Sequence, residues 1–510
     1  MTITSTSRKI NKLFRTPNLF FYDYFRKKAF INSPQKAKET IEEVNKKSNI
    51  IIDIVEIKKI GLSNYIKKNL KAGQAPEDGF DKNSLLVWSG YLNGLIHFID
   101  NVKQSMSMDL TIYTLGGGYN IQVPSDKDLD VKIVSGKLSS RPDFIIELSN
   151  KIGELYILHF YLYDINTDGI AVIRSNRALI RKCLVDELEN TFSIQETSYQ
   201  ENIDAVYTWV NHSDVEWKNY WLETFSDQEF DPDRYTSNDE LKYSLRSLNK
   251  YAPWLRNIYI VSNCSKPVWL KDCDKIIWID HKEIFPNENM LPTFNSHAIE
   301  CCLHNIKGLS EKFIYLNDDF ILSQPCLPAD FFDETGRSIS YFESYGMVNP
   351  ETKQNNLPDY LIAAGNSNKL LKNKFKTYNA RNLHRHVPYA LKKSILIEIE
   401  NSFPDVFEKT RYQKIRSEND INLTSFLYHH YSLANGSSVK SDLAGMIVRP
   451  ENINQLLNKD AFKYKILCFN DGNGSSANEE YKKMTLSYFD KRFNEIASWE
   501  HNFFNQHIQE

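Results

Sequence analysis

Two textures of apolar patterning divide the chain. From Ile50 to about Arg181, short apolar or alternating runs follow closely: Ile50 to Ile57, Leu85 to Trp88, Leu110 to Tyr113, Val131 to Val134, Phe144 to Leu148, Leu155 to Tyr163 and Gly169 to Ile173. Gly, Asn and Asp punctuate them, which is strand spacing and predicts a β-rich unit. The Gly116-Gly117-Gly118 run is a turn signal, because no Gly-Lys-Ser/Thr follows to make a phosphate loop. At Ile203 the texture changes. The apolar strand Ile203 to Val210 opens an alternation of helices and strands, with strands at Ile258 to Val261, Ile276 to Ile279 and within 311–320. Such alternation predicts an α/β domain, three layers around a mostly parallel sheet.

The helices of this second region have readable ends. Ser237-Asn238-Asp239-Glu240 supplies cap residues and first-turn acids, and Leu241, Leu245 and Leu248 form an apolar stripe that stops before Pro253. Pro292 to Ser296 leads into a helix with Ile299, Cys302, Leu303 and Ile306 on one face and His297, Glu300 and His304 on the other. Pro388 fits the first turn of a helix carrying Leu391, Ile395 and Ile399, and a further helix after Asp420 stops at Asn435-Gly436. The expected organisation is a basic aromatic segment and linker (1–48), a β-rich accessory domain (49–199), a catalytic α/β domain (200–480) and a helical C-terminal tail (481–510).

Composition narrows the class. The chain has 510 residues, too long for one ordinary core, and a globular profile with 41% hydrophobic and 25% charged residues. A net charge of −3 gives no field for nucleic acid. Residues 8–28 concentrate seven basic side chains among aromatic ones, which suits either an interfacial segment on an anionic membrane or a basic arm packed on the fold. No apolar stretch reaches the roughly 18 residues of a spanning helix. A cytoplasmic protein is expected, peripheral at the inner face of the membrane if the basic segment binds there. Seven cysteines without a C-x-x-C pair suit reduced thiols.

The chemistry sits at strand ends. The apolar run before Asn317-Asp318-Asp319 places an amide and two carboxylates where open α/β sheets keep their ligands. An isolated triplet of this kind is more often a polar turn. Trp209 and the polar loop Asn211 to Asp214 follow the first strand, as a nucleotide contact or an ordinary loop. Arg246 is spaced to pair with Asp239, or to clamp a phosphate. Glu300 and His304 are four apart without the H-E-x-x-H pattern, so a hydrogen-bonded polar face is the better reading. Thr293, Asn295 and Ser296 at a helix start are placed to hold an anion. His386 reads as a general base or a cap, Arg416 as a phosphate partner, Asp420 as an N-cap or a supporting carboxylate. Cys468-Phe469-Asn470-Asp471 repeats the apolar run ending in Asn-Asp.

Taken in order, Asp204 to Val210, Asp239 to Ser247, Leu291 to Glu300 with Tyr315 to Asp319, His386-Val387-Pro388 with Arg416 to Asp420, and Cys468 to Asp471 resemble the four conserved regions of the Stealth family. That family contains bacterial capsular polysaccharide phosphotransferases and the animal enzyme that puts N-acetylglucosamine-1-phosphate on lysosomal glycoproteins. The resemblance covers roughly residues 200–475 and departs at Asn211, where many members have Asp, and at Cys264-Ser265-Lys266, where a Gly-rich turn is usual. It implies transfer of a hexose-1-phosphate from a UDP-sugar to a capsule hydroxyl, with release of UMP. On this reading Asn317, Asp319, His386 and Arg416 are catalytic. Asp318, Asp319 and Asp471 hold Mg²⁺ or Mn²⁺. Asp204, Trp209, Arg246, Asn263, Thr293, Asn295, Ser296, Glu300 and Asp420 line the donor site. Implied partners are the nucleotide sugar, a capsular saccharide acceptor, the anionic inner membrane and the capsule assembly machinery. The alternative is a metal-dependent glycosyltransferase that makes plain glycosides.

Overall fold

The computed structural model describes residues 52–70, 73–74, 84–114, 118–151, 153–176, 178, 180–188, 202–226, 229–333, 335–348, 357–457, 463–469 and 475–501. They divide between Ile194 and Gln195 into two compact units. The basic segment at 8–28 and Asp471 lie outside the described residues.

The first unit is built on one sheet of eight strands: β1 (Gly73–Gln74), β2 (Ser84–Trp88), β3 (Asp109–Tyr113), β4 (Asn120–Val123), β5 (Asp143–Ser149), β6 (Leu155–Ile165), β7 (Ile170–Ile173) and β8 (Lys182–Leu184). The order is β1-β2-β6-β5-β3-β4, with β7 joining β6 and β8. Leu110, Ile112, Ile146, Leu148, Leu158 and Phe160 face Leu95, Ile96, Ile99 and Val102 of the helix Leu92–Ser105, which forms the core. Two runs read as strands are helices. Asp53 caps Ile54–Ile60 through its side chain, and Asp130 caps Val131–Leu138 in the same way. In the second, Val134 and Leu138 bury one helical face while Ile133 stays exposed, a spacing that the short apolar run concealed.

The second unit carries a five-stranded sheet of order β11-β10-β9-β12-β17: β9 (Ile203–Thr208), β10 (Ile258–Val261), β11 (Ile276–Ile279), β12 (Lys312–Asn317) and β17 (Tyr389–Lys392). The first four are parallel and β17 runs antiparallel to β12, so this is the mostly parallel α/β sheet expected. β9, β10 and β12 are almost wholly buried, as central parallel strands covered on both faces must be. Thr208 pairs with both Val261 and Asn317, and Val261 with Ile279, so four strands end in one row.

From Asn317 the chain turns through Asp318 and Asp319 into β13 (Phe320–Leu322), which belongs to a second sheet, β13-β20-β19, with β19 (Gly445–Val448) and β20 (Ile466–Phe469). Two further pairs, β14 (Ser338–Ser340) with β18 (Ser438–Lys440) and β15 (Phe342–Met347) with β16 (Asn382–His384), complete the strands. The helix Glu240–Tyr251 holds both sheets: Ser244 Oγ meets Tyr207 of β9 and donates to Phe320 O, and Ser247 Oγ accepts from Leu322 N.

Two helices differ from expectation. Pro388 precedes strand β17 rather than a helix, because Leu391 is drawn into pairing with Phe313; the helix starts at Lys393 and keeps Ile395 and Ile399 buried. The helix after Asn295 stops at Glu300 and resumes as one tight turn at Leu303–Asn305. At the C-terminus, the helix Glu479–Arg492 packs into this second unit, where Phe489 stacks on Tyr243 with ring centres 4.8 Å apart.

Three of the buried imidazoles of this unit lie close together. His384 and His429 stack at 3.9 Å, and His430 bonds to Tyr378 Oη and Asn382 O. Burial pushes His384 from 6.5 down to about 3 and His430 to about 4, and drives His429 well below its ordinary value, with neighbouring histidines adding to the effect. All three are neutral in the fold but protonate near pH 6.5 when unfolded. Stability is therefore full above pH 6.5 and lost as the pH falls toward 4, by about 1.4 kcal/mol per pH unit for each group. Thermal unfolding of the second unit followed from pH 7.5 to 4.5 is expected to show this decline, and a flat profile would contradict it.

Candidate active site

The row of strand ends at Thr208, Val261, Ile279 and Asn317 opens onto the crevice where α/β sheets place ligands. Asn317, Asp318 and Asp319 stand at its edge, each partly exposed. Their backbone is tied at both ends, since Asn317 pairs with Thr208 and Asp319 O accepts from Phe469 N at 2.9 Å. Asp319 Oδ2 also accepts from the Cys468 thiol at 3.3 Å. Burial, reinforced by the charge of Asp319, holds that thiol well above its usual range, so it remains a donor.

His386 leaves the sheet at the same end. Tyr389 of β17 stands opposite Tyr315, two residues before Asn317, and His386 lies three residues before Tyr389 in the antiparallel strand. The neighbouring chain is anchored: Arg385 Nη1 donates to Leu443 O at 2.8 Å, and a Cβ on Gly445 would stand 2.7 Å from Val387 Cγ1. His386 Nδ1 is buried without a hydrogen-bond partner among the described residues. Burial, helped by the positive charge of Arg449, lowers its pKa from 6.5 and keeps it neutral at pH 7.

Arg416 is held by a different scaffold. Phe294 is wedged among Trp217, Trp221 and Phe225 at centroid distances of 5.3, 4.9 and 5.7 Å. Its N–H donates to Lys414 O, and the Thr293 hydroxyl donates to Gln413 O. These bonds set the segment 293–296 against 413–416, and Arg416 Nη2 then donates to Ser296 Oγ at 2.9 Å. Below them Asp420 is fully buried; its Oδ2 accepts from Asn295 Nδ2, Ser417 N and, at 3.1 Å, His297 Nδ1. The charge of Arg416 reaches Tyr315, whose hydroxyl bonds Thr208 Oγ1 beneath the strand-end row.

Several expected donor contacts are internal. Asp204 starts β9, four residues before Thr208 and so about 13 Å from the crevice. Its buried carboxylate takes Arg256, Asn257 N and Ser310 N. Arg246 does not pair with Asp239; it forks onto Glu500 at 2.7 Å and donates to Phe493 O, latching the C-terminal segment. Thr293, Asn295, Glu300 and Asp420 are buried, and their polar atoms are engaged within the protein. They position the site rather than line it. His304 bonds Glu400 at 2.6 Å, which confirms the hydrogen-bonded reading of that face. Trp209 is buried edge-on to Trp278 at 5.6 Å, and Asn263 is half-buried just past β10.

Three participants escaped the sequence reading. Cys468 holds Asp319; Asp359 pairs with Arg234 at 2.8 Å and approaches Arg416 at 3.6 Å; Arg449 acts on His386. Only Arg449 had a readable signal, an arginine directly after the apolar run Met446-Ile447-Val448.

Removing the Asp420 carboxylate would leave the Asn295 amide and Ser417 N–H unmet in the interior. Asp420→Ala is expected to cost about 2–4 kcal/mol in urea unfolding. A loss within 0.5 kcal/mol, the range of surface substitutions, would show that the hub is dispensable.

Comparison with known proteins places this geometry. The Stealth protein conserved region 2 matches residues 234–340 and conserved region 3 matches residues 385–433. The capsular polysaccharide phosphotransferase SacB of Neisseria meningitidis serogroup A is 37% identical over 331 residues, 61% of this chain and 60% of that protein. An exopolysaccharide phosphotransferase of Streptomyces coelicolor is 42% identical over 246 residues, 47% of this chain and 42% of that protein. The chain thus spans about 60% or less of the length of these relatives. Among solved structures, the galactosyltransferase LgtC with donor and acceptor sugar analogues aligns with a TM-score of 0.30 at 10% identity, over 56% of this chain and 95% of that one. Asn317 to Asp319 and Ser296 fall within the first matched region, and His386 and Arg416 within the second, so the residues singled out above lie in the two stretches that this chain shares with Stealth proteins.

Proposed function

We propose that the second unit transfers a hexose-1-phosphate, an N-acetylhexosamine-1-phosphate in particular, from a UDP-sugar to a hydroxyl of a growing capsular polysaccharide, releasing UMP. The observation that carries this reading is a carboxylate pair and a neutral imidazole at the same end of one sheet, with Arg416 held at Ser296, in a chain similar to capsular polysaccharide phosphotransferases. The acceptor oxygen bonds to the β-phosphorus while the bridging oxygen between the phosphates leaves with UMP. His386, neutral before the reaction, takes the acceptor proton. Arg416 and the Asn317 amide bind the non-bridging oxygens as charge builds on them.

Asp318 and Asp319 suit a hard divalent cation, Mg²⁺ or Mn²⁺. Among the described residues no three metal-ligating side chains come together. That fits Mg²⁺, which is commonly held by one or two carboxylates together with substrate phosphates and water. Asp471 would complete the set. When bound, the ion would offset the donor's negative charge against the carboxylates. No described helix is long and apolar enough to cross a membrane. Contact of the basic N-terminal segment with anionic lipid and with the capsule assembly machinery belongs to the same proposal.

A metal-dependent glycosyltransferase would use a similar carboxylate pair, and the products separate the two. Incubation with UDP-sugars, Mg²⁺ and capsule oligosaccharides is expected to yield a phosphodiester resonance in phosphorus NMR; a plain glycoside with released UDP would overturn the reading. His386→Ala is expected to slow transfer by roughly 10²–10⁴-fold without changing the melting temperature. Because burial lowers the His386 pKa, the wild-type rate is expected to hold as the pH falls to about 6.5 and to drop only below it. An acid limb centred above pH 7 would remove His386 as the base.

A further inference from the structure

A second arginine leaves the fold at the end of the sheet where the carboxylates stand, on a strand end that neither matched region includes. β19 runs parallel to β20 with Val448 opposite Phe469, and Phe469 N–H bonds Asp319 O at 2.9 Å. Arg449, the first residue past β19, therefore leaves the second sheet at the same end as Asp319. Its backbone is fixed: Arg449 N–H donates to Asn452 Oδ1, and Asn452 Nδ2 donates back to Ile447 O, both at 2.8 Å. Its side chain is exposed and makes no hydrogen bond or ion pair with any described residue.

An exposed arginine is commonly a solvated surface residue. Two observations separate Arg449 from that case. The strand register puts it at the end of the second sheet from which Asp319 emerges, on the side of the fold that carries the carboxylates. Moreover, the stretch that carries it is bolted to the His386 loop through Arg385 with Leu443 O and Gly445 with Val387, which fixes the base and the arginine in one body. Arg416, by contrast, approaches through Ser296 and is felt by Tyr315 and Tyr235, a separate set of neighbours.

We propose that Arg449 is a substrate-binding residue whose guanidinium takes phosphate oxygens of the nucleoside diphosphate from the carboxylate side of the crevice, while Arg416 takes them from the Ser296 side. This rests on reading the second unit as a nucleotide-sugar phosphotransferase. Its physical motive is charge: two carboxylates and a diphosphate leave a net negative site even with one divalent cation and one arginine, so a second guanidinium is favoured there. A planar fork that is free of internal acids suits bidentate phosphate contact better than a lysine would.

The full-length protein and its Arg449→Gln and Arg449→Lys variants, with Arg416→Gln as a reference, can be titrated calorimetrically with UDP and with inorganic pyrophosphate in Mg²⁺. Arg449→Gln is expected to weaken both by roughly 10-fold or more, as loss of a charge-assisted bond does, with an unchanged melting temperature. Arg449→Lys is expected to recover part of the loss, because it keeps charge without the fork. Wild-type affinity for both probes in Arg449→Gln overturns the proposal. A lower melting temperature in the glutamine variant with full affinity in the lysine variant overturns the bidentate contact and leaves a structural role. Weakened binding in a protein whose wild type transfers no sugar phosphate keeps the contact and rejects the phosphotransferase reading instead.

Discussion

Two residues carry the chain from one sheet to another, and the site is organised around that short crossing. Asn317 is the last paired residue of β12, Phe320 the first of β13, and only Asp318 and Asp319 lie between. With the backbone held by Thr208 on one side and Phe469 on the other, the two carboxylates have little freedom to withdraw from the crevice. Strand pairing thus supplies the preorganisation that loops must otherwise obtain by closing. The helix Glu240–Tyr251 makes the crossing rigid, because its serines bond to both sheets.

Around this hinge, different physical devices deliver each cationic or basic group. The Trp217, Trp221, Phe225 and Phe294 cluster sets the segment that presents Ser296, and the buried Asp420 ties that segment to the arginine-bearing loop. His386 depends on packing instead. Contact of Gly445 with Val387 leaves no room for a side chain, and burial of the ring keeps it neutral. One consequence is that most polar residues near the site are engaged in holding others.

That division explains what could be read beforehand. Asn317 to Asp319 were legible because a parallel strand buried on both faces is a continuous apolar run, and its end is visible as the first polar residues. β9 and β10 were legible for the same reason. The spacing of Arg246 pointed to Asp239 because spacing says nothing about long-range partners: its counterion Glu500 stands 254 positions away. Asp204, which the resemblance assigned to the donor site, is taken by Arg256, 52 positions away. Pro388 misled because proline fits both a helix start and the residue before an edge strand, and only pairing with β12 decides between them. Val131 to Val134 misled because four positions, three of them apolar, are too few to show a period, and the capping bond of Asp130 was the deciding signal.

The central claim is that phosphorus moves with the sugar. A UDP-N-acetylhexosamine labelled with ³²P at the β-phosphate tests it in one step. With the protein, Mg²⁺ and a capsule oligosaccharide, the account predicts label in the polymer and unlabelled UMP as the released nucleotide. Label retained in UDP, with unlabelled sugar added to the acceptor, would contradict it.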